Sequence, residues 1–159
     1  MNQLTSRTST QVLDIKDVLL ALETNLAMIE FSLDRKVIWV NDHFADAMNY
    51  SVKEMEGMDH KQFCTMEYSQ SKEYTELWDN LRSGKKSQEK IERVDKHGNK
   101  LWLEATYIPI LDGHGSVHAV LKIATDITKR ENTTVEIISQ LKSMPNNLVQ
   151  SVMANSNEK

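Results

Sequence analysis

SQEKIERVDKHGNKLWLEATYIPILDGHGSVHAVLKIATDI, residues 87–127, is the stretch of sequence that decides the fold. Three segments of it are long and rich in β-branched and aromatic residues, as strands are: 87–96, 101–111 and 117–127. HGN and DGHG join them, and the glycines of such turns accept a positive φ at little cost. The stretch therefore predicts a three-stranded antiparallel meander.

Two shorter strands are predicted before it. AMIEFSL (27–33) and VIWVN (37–41) are β-rich and are separated by the polar turn DRK. The sequence between this hairpin and the meander has helical spacing instead. Asn41 or Asp42 can cap a first short helix, Ser51 and Glu54 have the spacing of a capping box, and 71–84 is the clearest helix. Its apolar stripe consists of Tyr74, Leu77, Trp78 and Leu81.

This order predicts an α+β domain with a five-stranded antiparallel sheet, short helices on one face, and flanking N- and C-terminal helices. We expect a flexible leader and N-terminal helix over 1–24, the domain over 25–128, and a C-terminal helix and tail over 129–159. The first helix has apolar residues spaced by three and four: Val12, Ile15, Leu19, Leu22 and Leu26. That pattern fits either a dimer seam or a helix lying on its own domain.

Composition narrows the classes of protein. The chain has 159 residues, a net charge of −4 and 40% hydrophobic residues, which is typical of a globular domain and gives no attraction to nucleic acid. No apolar run approaches the roughly 20 residues of a membrane span, and the N-terminus lacks the apolar segment of a signal peptide. With a single cysteine excluding an internal disulfide, we expect a cytoplasmic protein without direct membrane insertion.

DHKQFC (59–64) brings His60 and Cys64 within four positions of each other. Two ligands without a CxxC or a second histidine do not make a zinc site, and a Cys-His pair without an oriented third group gives little support for catalysis. We therefore predict no metal site of the zinc type and no enzyme. The simpler interpretation is that Cys64 is a small buried hydrophobe beside Phe63, and that His60 hydrogen-bonds local backbone.

Four segments together resemble a PAS sensory domain: VNDHFADAMNYSVKEMEG, EYTELWDNLRSG, KHGNKLWLEATYIPILDGHG and KIATDITKRE. The series HKQFC, SKEYTELWDNLRSG and WLEATYIPILD is most similar to PAS modules of bacterial methyl-accepting chemotaxis receptors of the aerotaxis type. The long methylated helical hairpin of such receptors is absent. The resemblance implies either the sensory fragment of a longer receptor or a free-standing sensor subunit.

The resemblance also implies cofactor candidates. A core without cofactor is the first expectation; among cofactors, haem b comes first and the flavin FAD second. In one haem-binding group the axial ligand lies seven residues past a glycine like Gly57, which is Cys64 here, and His60 is the nearest imidazole. For flavin, Asn41 and Trp78 match the family's contact positions, although CTME replaces its basic run. An ordinary core position remains the alternative for Trp78.

The resemblance implies a signalling role for the exit from the last strand, at Asp126, Ile127 and Thr128. Asp126 and Thr128 can hydrogen-bond the backbone, and Thr128 with Glu131 has the spacing of a capping box. We expect a cytoplasmic sensor of a ligand, redox or gas cue that passes its signal to the C-terminal helix, as a homodimer joined through the terminal helices and with a chemotaxis receptor or signalling protein as partner. The alternative is a cofactor-free interaction or dimerisation module.

Overall fold

An antiparallel sheet of five strands forms the framework of the chain. The structure, a computed structural model, describes residues 8–147, 150, 153 and 154; the first seven residues of the predicted leader and most of the tail lie outside these residues. The elements are α1 (Ile15–Asn25), β1 (Ala27–Phe31), β2 (Val37–Val40), α2 (Asp42–Ala47), α3 (Val52–Met55), a 3₁₀ helix (His60–Phe63), α4 (Met66–Ser69), α5 (Lys72–Arg82), β3 (Ser87–Val94), β4 (Lys100–Leu111), β5 (Val117–Asp126) and α6 (Thr128–Ser143). Residues up to Asp126 form one unit and those from Ile127 another.

The strand order is β2-β1-β5-β4-β3, which confirms the predicted hairpin and meander. Asp112 shows why the second turn closes, since its carboxylate accepts hydrogen bonds from the amides of His114 at 2.8 Å and Ser116 at 3.0 Å. Gly115 follows with a φ of 80°, which favours glycine. β5 then pairs with β1, so the last strand lies at the centre of the sheet.

One face of the sheet forms the core. Along β4 the buried set is Leu101, Leu103, Ala105 and Tyr107, and along β5 it includes Val120, Lys122 and Ala124. The alternation of strand side chains placed Trp102, Glu104 and Thr106 on the opposite face, and all three are at least partly exposed. The sequence left open which set faced inward, and the structure assigns the core to the set that contains Leu101.

The predicted helix signals hold in the middle segment. Asn41 caps α2, and Ser51 with Glu54 forms the full capping box of α3. The four apolar side chains of the α5 stripe are all buried against the sheet. Local hydrogen bonding and a single buried face therefore account for these short helices, which isolated peptides of that length would not form.

The prediction that Thr128 caps the C-terminal helix is wrong. β5 runs to Asp126, and α6 begins at Thr128 with Ile127 as its N-cap residue. The side chain of Ile127 has no hydrogen-bonding atom, so the N-cap residue of α6 makes no side-chain cap hydrogen bond. The amide of Glu131 instead donates to the carbonyl of Ile127 at 3.0 Å.

Candidate functional site

The 3₁₀ helix carries His60 into the core. Asp59 accepts a hydrogen bond from the Lys61 amide at 2.9 Å, and Gln62 accepts one from the Asp59 amide at 2.9 Å, so a capping box starts the helix. Arg35 and Lys36 hold the same aspartate through ion pairs of 3.7 and 3.3 Å. The 3₁₀ helix ends at Phe63, which leaves Cys64 just beyond its end.

His60 is fully buried and hydrogen-bonded at both ring nitrogens. Its Nδ1 lies 3.0 Å from the hydroxyl of Tyr74, and its Nε2 lies 3.0 Å from the hydroxyl of Tyr107. Burial, followed by the positive charges of Arg93 and Lys122, holds the pKa of His60 well below its ordinary value. The imidazole is therefore neutral at pH 7, with one donor and one acceptor matched by two hydroxyls.

Arg93 extends this network from β3. Its Nη2 donates to the Tyr107 hydroxyl at 2.9 Å and its Nη1 donates to the Glu92 carbonyl at 2.8 Å. Its Nε is buried and has no hydrogen-bond partner in the described part of the chain. The hydroxyl of Tyr107 thus joins a guanidinium to an imidazole, and burial raises the pKa of Tyr107 to about 12.

Lys122 is the second buried basic residue. Its Nζ lies 5.0 Å from the ring centre of Tyr107 and 5.2 Å from that of Phe44, within reach of a cation–π interaction when it is charged. Burial, and then the charge of Arg93, lowers the pKa of Lys122 well below its ordinary value. Among the described residues, no carboxylate forms an ion pair with Lys122 or Arg93. We call His60, Tyr74, Arg93, Tyr107 and Lys122 the polar centre.

Cys64 lies beside the polar centre. Its Sγ is 3.6 Å from the Nδ1 of His60 and 3.5 Å from the carbonyl oxygen of that residue, and burial raises the pKa of the thiol. A haem iron needs a free imidazole nitrogen or a thiolate. Both nitrogens of His60 are engaged and Cys64 is held as a thiol, so this arrangement does not fit axial ligation. In the described part of the chain, no cluster of three or more potential ligands could hold a metal ion.

The two predicted flavin positions are not brought together. Trp78 packs edge to face against His60, with ring centres 5.3 Å apart, and its indole N–H has no partner among the described residues. Asn41 instead joins three elements: its Oδ1 accepts from the amides of Met28 and Phe44, and its Nδ2 donates to the carbonyls of Glu23 and Leu26. Its amide has no capacity left for the ring of a flavin.

Sequence reasoning missed Arg93, Tyr107 and Lys122. The signal was present in the strand alternation, because Lys122 has the same parity as the buried Val120 and Ala124. Likewise Arg93 shares its parity with the buried Ile91. A basic residue at an inward position of an apolar strand indicates a buried polar site, and both strands carry one.

A sheet and a row of short helices that enclose a polar centre define the chain as a small α+β domain. The chain belongs to the PAS family, because the family pattern described as "PAS fold" matches residues 23–132. Biofilm dispersion protein BdlA of Pseudomonas aeruginosa is 38% identical over 110 residues, which cover 69% of this chain and 26% of that protein. The chain thus corresponds to about a quarter of this relative.

Solved structures show the same fold. The PAS domain of a protein from Colwellia psychrerythraea matches with a TM-score of 0.63 and 21% identity, over 73% of this chain and 99% of that one. An RNA-binding light-oxygen-voltage receptor matches with a TM-score of 0.67 and 16% identity, over 86% of this chain and 40% of that one. At these identities the likeness concerns the fold alone. No helix among the described residues is both long and apolar enough to cross a membrane.

Proposed function

We propose that this chain is a cytoplasmic, non-catalytic PAS sensory module of chemotaxis-type bacterial signal transduction. The observation that carries the proposal is the polar centre, which lies between the sheet and the short helices. A binding event there shifts the protein between two states only if the ligand binds them unequally. Two buried basic side chains, which have no acidic partner among the described residues, lie beside a tyrosine–histidine chain and provide that sensitivity, because an added charge perturbs the hydrogen bonds of the chain.

The proposed output is α6. Lys122 belongs to β5, and this strand ends at Asp126, directly before Ile127 and Thr128. Displacing Lys122 or its neighbour Tyr107 would shift β5 within the sheet, and the chain itself transmits that shift into the first turn of α6. Asp126, Ile127 and Thr128 are therefore the proposed transmission residues.

Tyr107→Phe tests the route. The variant removes the hydroxyl shared by His60 and Arg93 with almost no change of volume, and we expect altered amide hydrogen exchange in β5 and in residues 128–143, as measured by mass spectrometry. Thr106→Ala, on the opposite face of the same strand, is the control and should leave α6 unchanged. A response that ends within the sheet would contradict transmission through β5.

Whether the core holds a cofactor is the next part of the proposal. One structural neighbour is described as a study of a flavin analogue in a light-oxygen-voltage domain, and it matches with a TM-score of 0.60 and 16% identity over 90% of this chain and 96% of that one. We propose a core without haem or flavin, because His60, Cys64 and Asn41 are all engaged by protein groups. Freshly purified protein should then lack both the Soret band of haem and the visible bands of flavin.

A second candidate function, a dimerisation module, is favoured by α1. This helix has no buried residue, and its apolar side chains include Ile15, Leu19 and Leu20, which are 57%, 47% and 63% exposed. Its a/d spacing matches a second copy of itself, as in a short coiled coil. We propose that α1 pairs two chains into a homodimer, which also suits a sensor that acts on a receptor or signalling protein.

Ile15→Glu combined with Leu19→Glu should convert the dimer into a monomer, because charged residues at seam positions repel their copies in the partner helix. The dissociation constant, measured by analytical ultracentrifugation, should rise at least tenfold. Lys16→Glu, at an exposed polar position of the same helix, is the matched control. Equal molecular masses in solution for the wild type, the double variant and Lys16→Glu would contradict a dimer seam along α1.

A further inference from the structure

A groove of about 410 Å³ lies against β3 beside α4 and α5. Arg93, Tyr68 and Ser71 are among its lining residues. The ring of Tyr68 stacks over the guanidinium of Arg93, with 5.1 Å from Cζ to the ring centre. The groove therefore reaches the polar centre at Arg93, and Tyr68 lies over the point of contact.

Arg93 has binding capacity that the protein does not use. Its side chain is buried, two of its nitrogens donate to Tyr107 and Glu92, and its Nε–H donates to no described atom. Arginine stays charged in proteins, and a buried charge with an unsatisfied donor is costly unless a partner compensates it. A carboxylate matches the geometry of a guanidinium, which can bind it through two parallel hydrogen bonds.

Lys122 is a second basic side chain that favours an anionic group at this site. It lies over the ring whose hydroxyl Arg93 contacts, so two basic side chains converge on Tyr107 from β3 and β5. The described residues supply neither with an acidic partner. Inside a protein, where the effective dielectric constant is far below that of water, the charge of Arg93 acts strongly, and an anion bound beside it would favour the charged form of Lys122 as well.

Apart from Arg93, the lining of the groove has the opposite net charge, with one lysine, Lys90, and four carboxylates: Glu67, Glu73, Glu89 and Glu92. They would repel a molecule carrying two carboxylates. They would attract a molecule that also carries an ammonium group. Arg93 and the glutamates together match a ligand that has a carboxylate at Arg93 and a positive group near the glutamates.

We infer that Arg93 binds the carboxylate of a small zwitterionic molecule of the α-amino acid kind in this groove. The inference rests on the proposed function and names the chemical class of the ligand that the sensor detects. Binding places the carboxylate against the free Nε–H, displaces Tyr68 from the guanidinium, and perturbs Tyr107 through its bond to Arg93.

The test is a titration of the full chain, followed by NMR of the arginine Nε–H signals and by calorimetry. The probes are the proteinogenic α-amino acids taken singly, with acetate and succinate as carboxylates that lack the ammonium group. We expect saturable binding of at least one amino acid with a shift of the Arg93 signal, weaker binding of acetate, and the weakest binding of succinate. Arg93→Gln should weaken the binding of that amino acid about 30-fold or more, since loss of a buried charged partner costs at least about 2 kcal/mol. Ser83→Ala, on the exposed surface after α5, is the control and should not change the affinity.

Three outcomes would overturn the inference: no probe shifts the Arg93 signal, succinate binds as tightly as the amino acids, or Arg93→Gln binds with unchanged affinity. If the Arg93→Gln variant fails to fold, the signal of the wild-type arginine decides the matter alone. The proposed function has its own readout, hydrogen exchange in residues 128–143. Binding without an exchange response contradicts the sensor, and an exchange response to Tyr107→Phe without carboxylate binding contradicts only the ligand.

Discussion

His60→Ala is expected to lower the free energy of unfolding by about 3–5 kcal/mol at pH 7.5. The substitution removes a ring that packs against Phe31, Tyr74 and Trp78, with centre distances of 5.1, 5.6 and 5.3 Å. It also leaves the hydroxyl of Tyr74 without its ring-nitrogen partner and takes one bond from Tyr107. Urea denaturation followed by tryptophan fluorescence measures the loss.

The stability lost in His60→Ala should depend on pH, and the lowered pKa of His60 determines whether this loss grows or shrinks toward acid pH. The folded protein keeps the ring neutral, so below the ordinary value of 6.5 only the unfolded chain takes up the proton. Wild-type stability from His60 is therefore complete above that pH and declines below it. The cost of His60→Ala should shrink by about 1.4 kcal/mol between pH 7.5 and 5.5.

His97→Ala is the matched control, because His97 is exposed in the turn between β3 and β4. Its effect should stay within about 0.5 kcal/mol at both pH values. A cost for His60→Ala as small as that of the control would show that the polar centre contributes nothing to stability. A cost that grows toward acid pH would show that His60 is charged in the fold.

The elements that local physics decides were predictable. Ser51 and Glu54 satisfy each other's backbone amides within one turn, and Asp112 closes its own hairpin, so neither depends on the rest of the chain. The inward stripe of α5 also follows from its period, because a helix of 11 residues with four apolar side chains on one face has only one way to bury them.

The polar centre depends on contacts between distant segments of the chain, which the spacing of residues within one segment does not predict. Arg93 lies opposite Leu101 and Tyr107 lies opposite Ser87, so the two residues are not cross-strand neighbours and only the ends of their long side chains meet. His60 comes from a different segment altogether and reaches Tyr107 across 47 positions of sequence. Spacing within a segment cannot reveal such contacts. Sequence reasoning therefore related His60 to its neighbour Cys64 and missed its hydrogen bonds to Tyr74 and Tyr107.

Asn41 shows that a residue at a family contact position can also serve the fold. Its position after β2 matches a family contact to flavin, yet here its amide holds the end of α1, the start of β1 and the first turn of α2 together. The same position serves the fold before it serves any ligand. A position within a family motif therefore indicates a role only when the side chain has a hydrogen-bonding group left free.

Lys122→Met is expected to raise the free energy of unfolding by about 2–4 kcal/mol at pH 7. A methionine of similar length fills the space beside Phe44 and Tyr107 and has no charge to desolvate. Lys122 has a lowered pKa in the fold, so below the ordinary value of 10.5 the unfolded chain gains a proton that the folded protein resists. Wild-type stability is thus diminished at neutral pH and recovers as the pH rises toward 10.5.

The gain from Lys122→Met should therefore shrink as the pH is raised from 7 toward 10, which urea denaturation at stepped pH would measure. Cys64, Tyr74 and Tyr107 also titrate on the alkaline side, but both proteins contain them, and the difference between the two isolates Lys122. Lys86→Met, at an exposed position before β3, is the control and should show neither the gain nor the trend. If Lys122→Met destabilises the protein equally at every pH, Lys122 is charged and compensated in the fold, and the expected cost of burying its charge is absent.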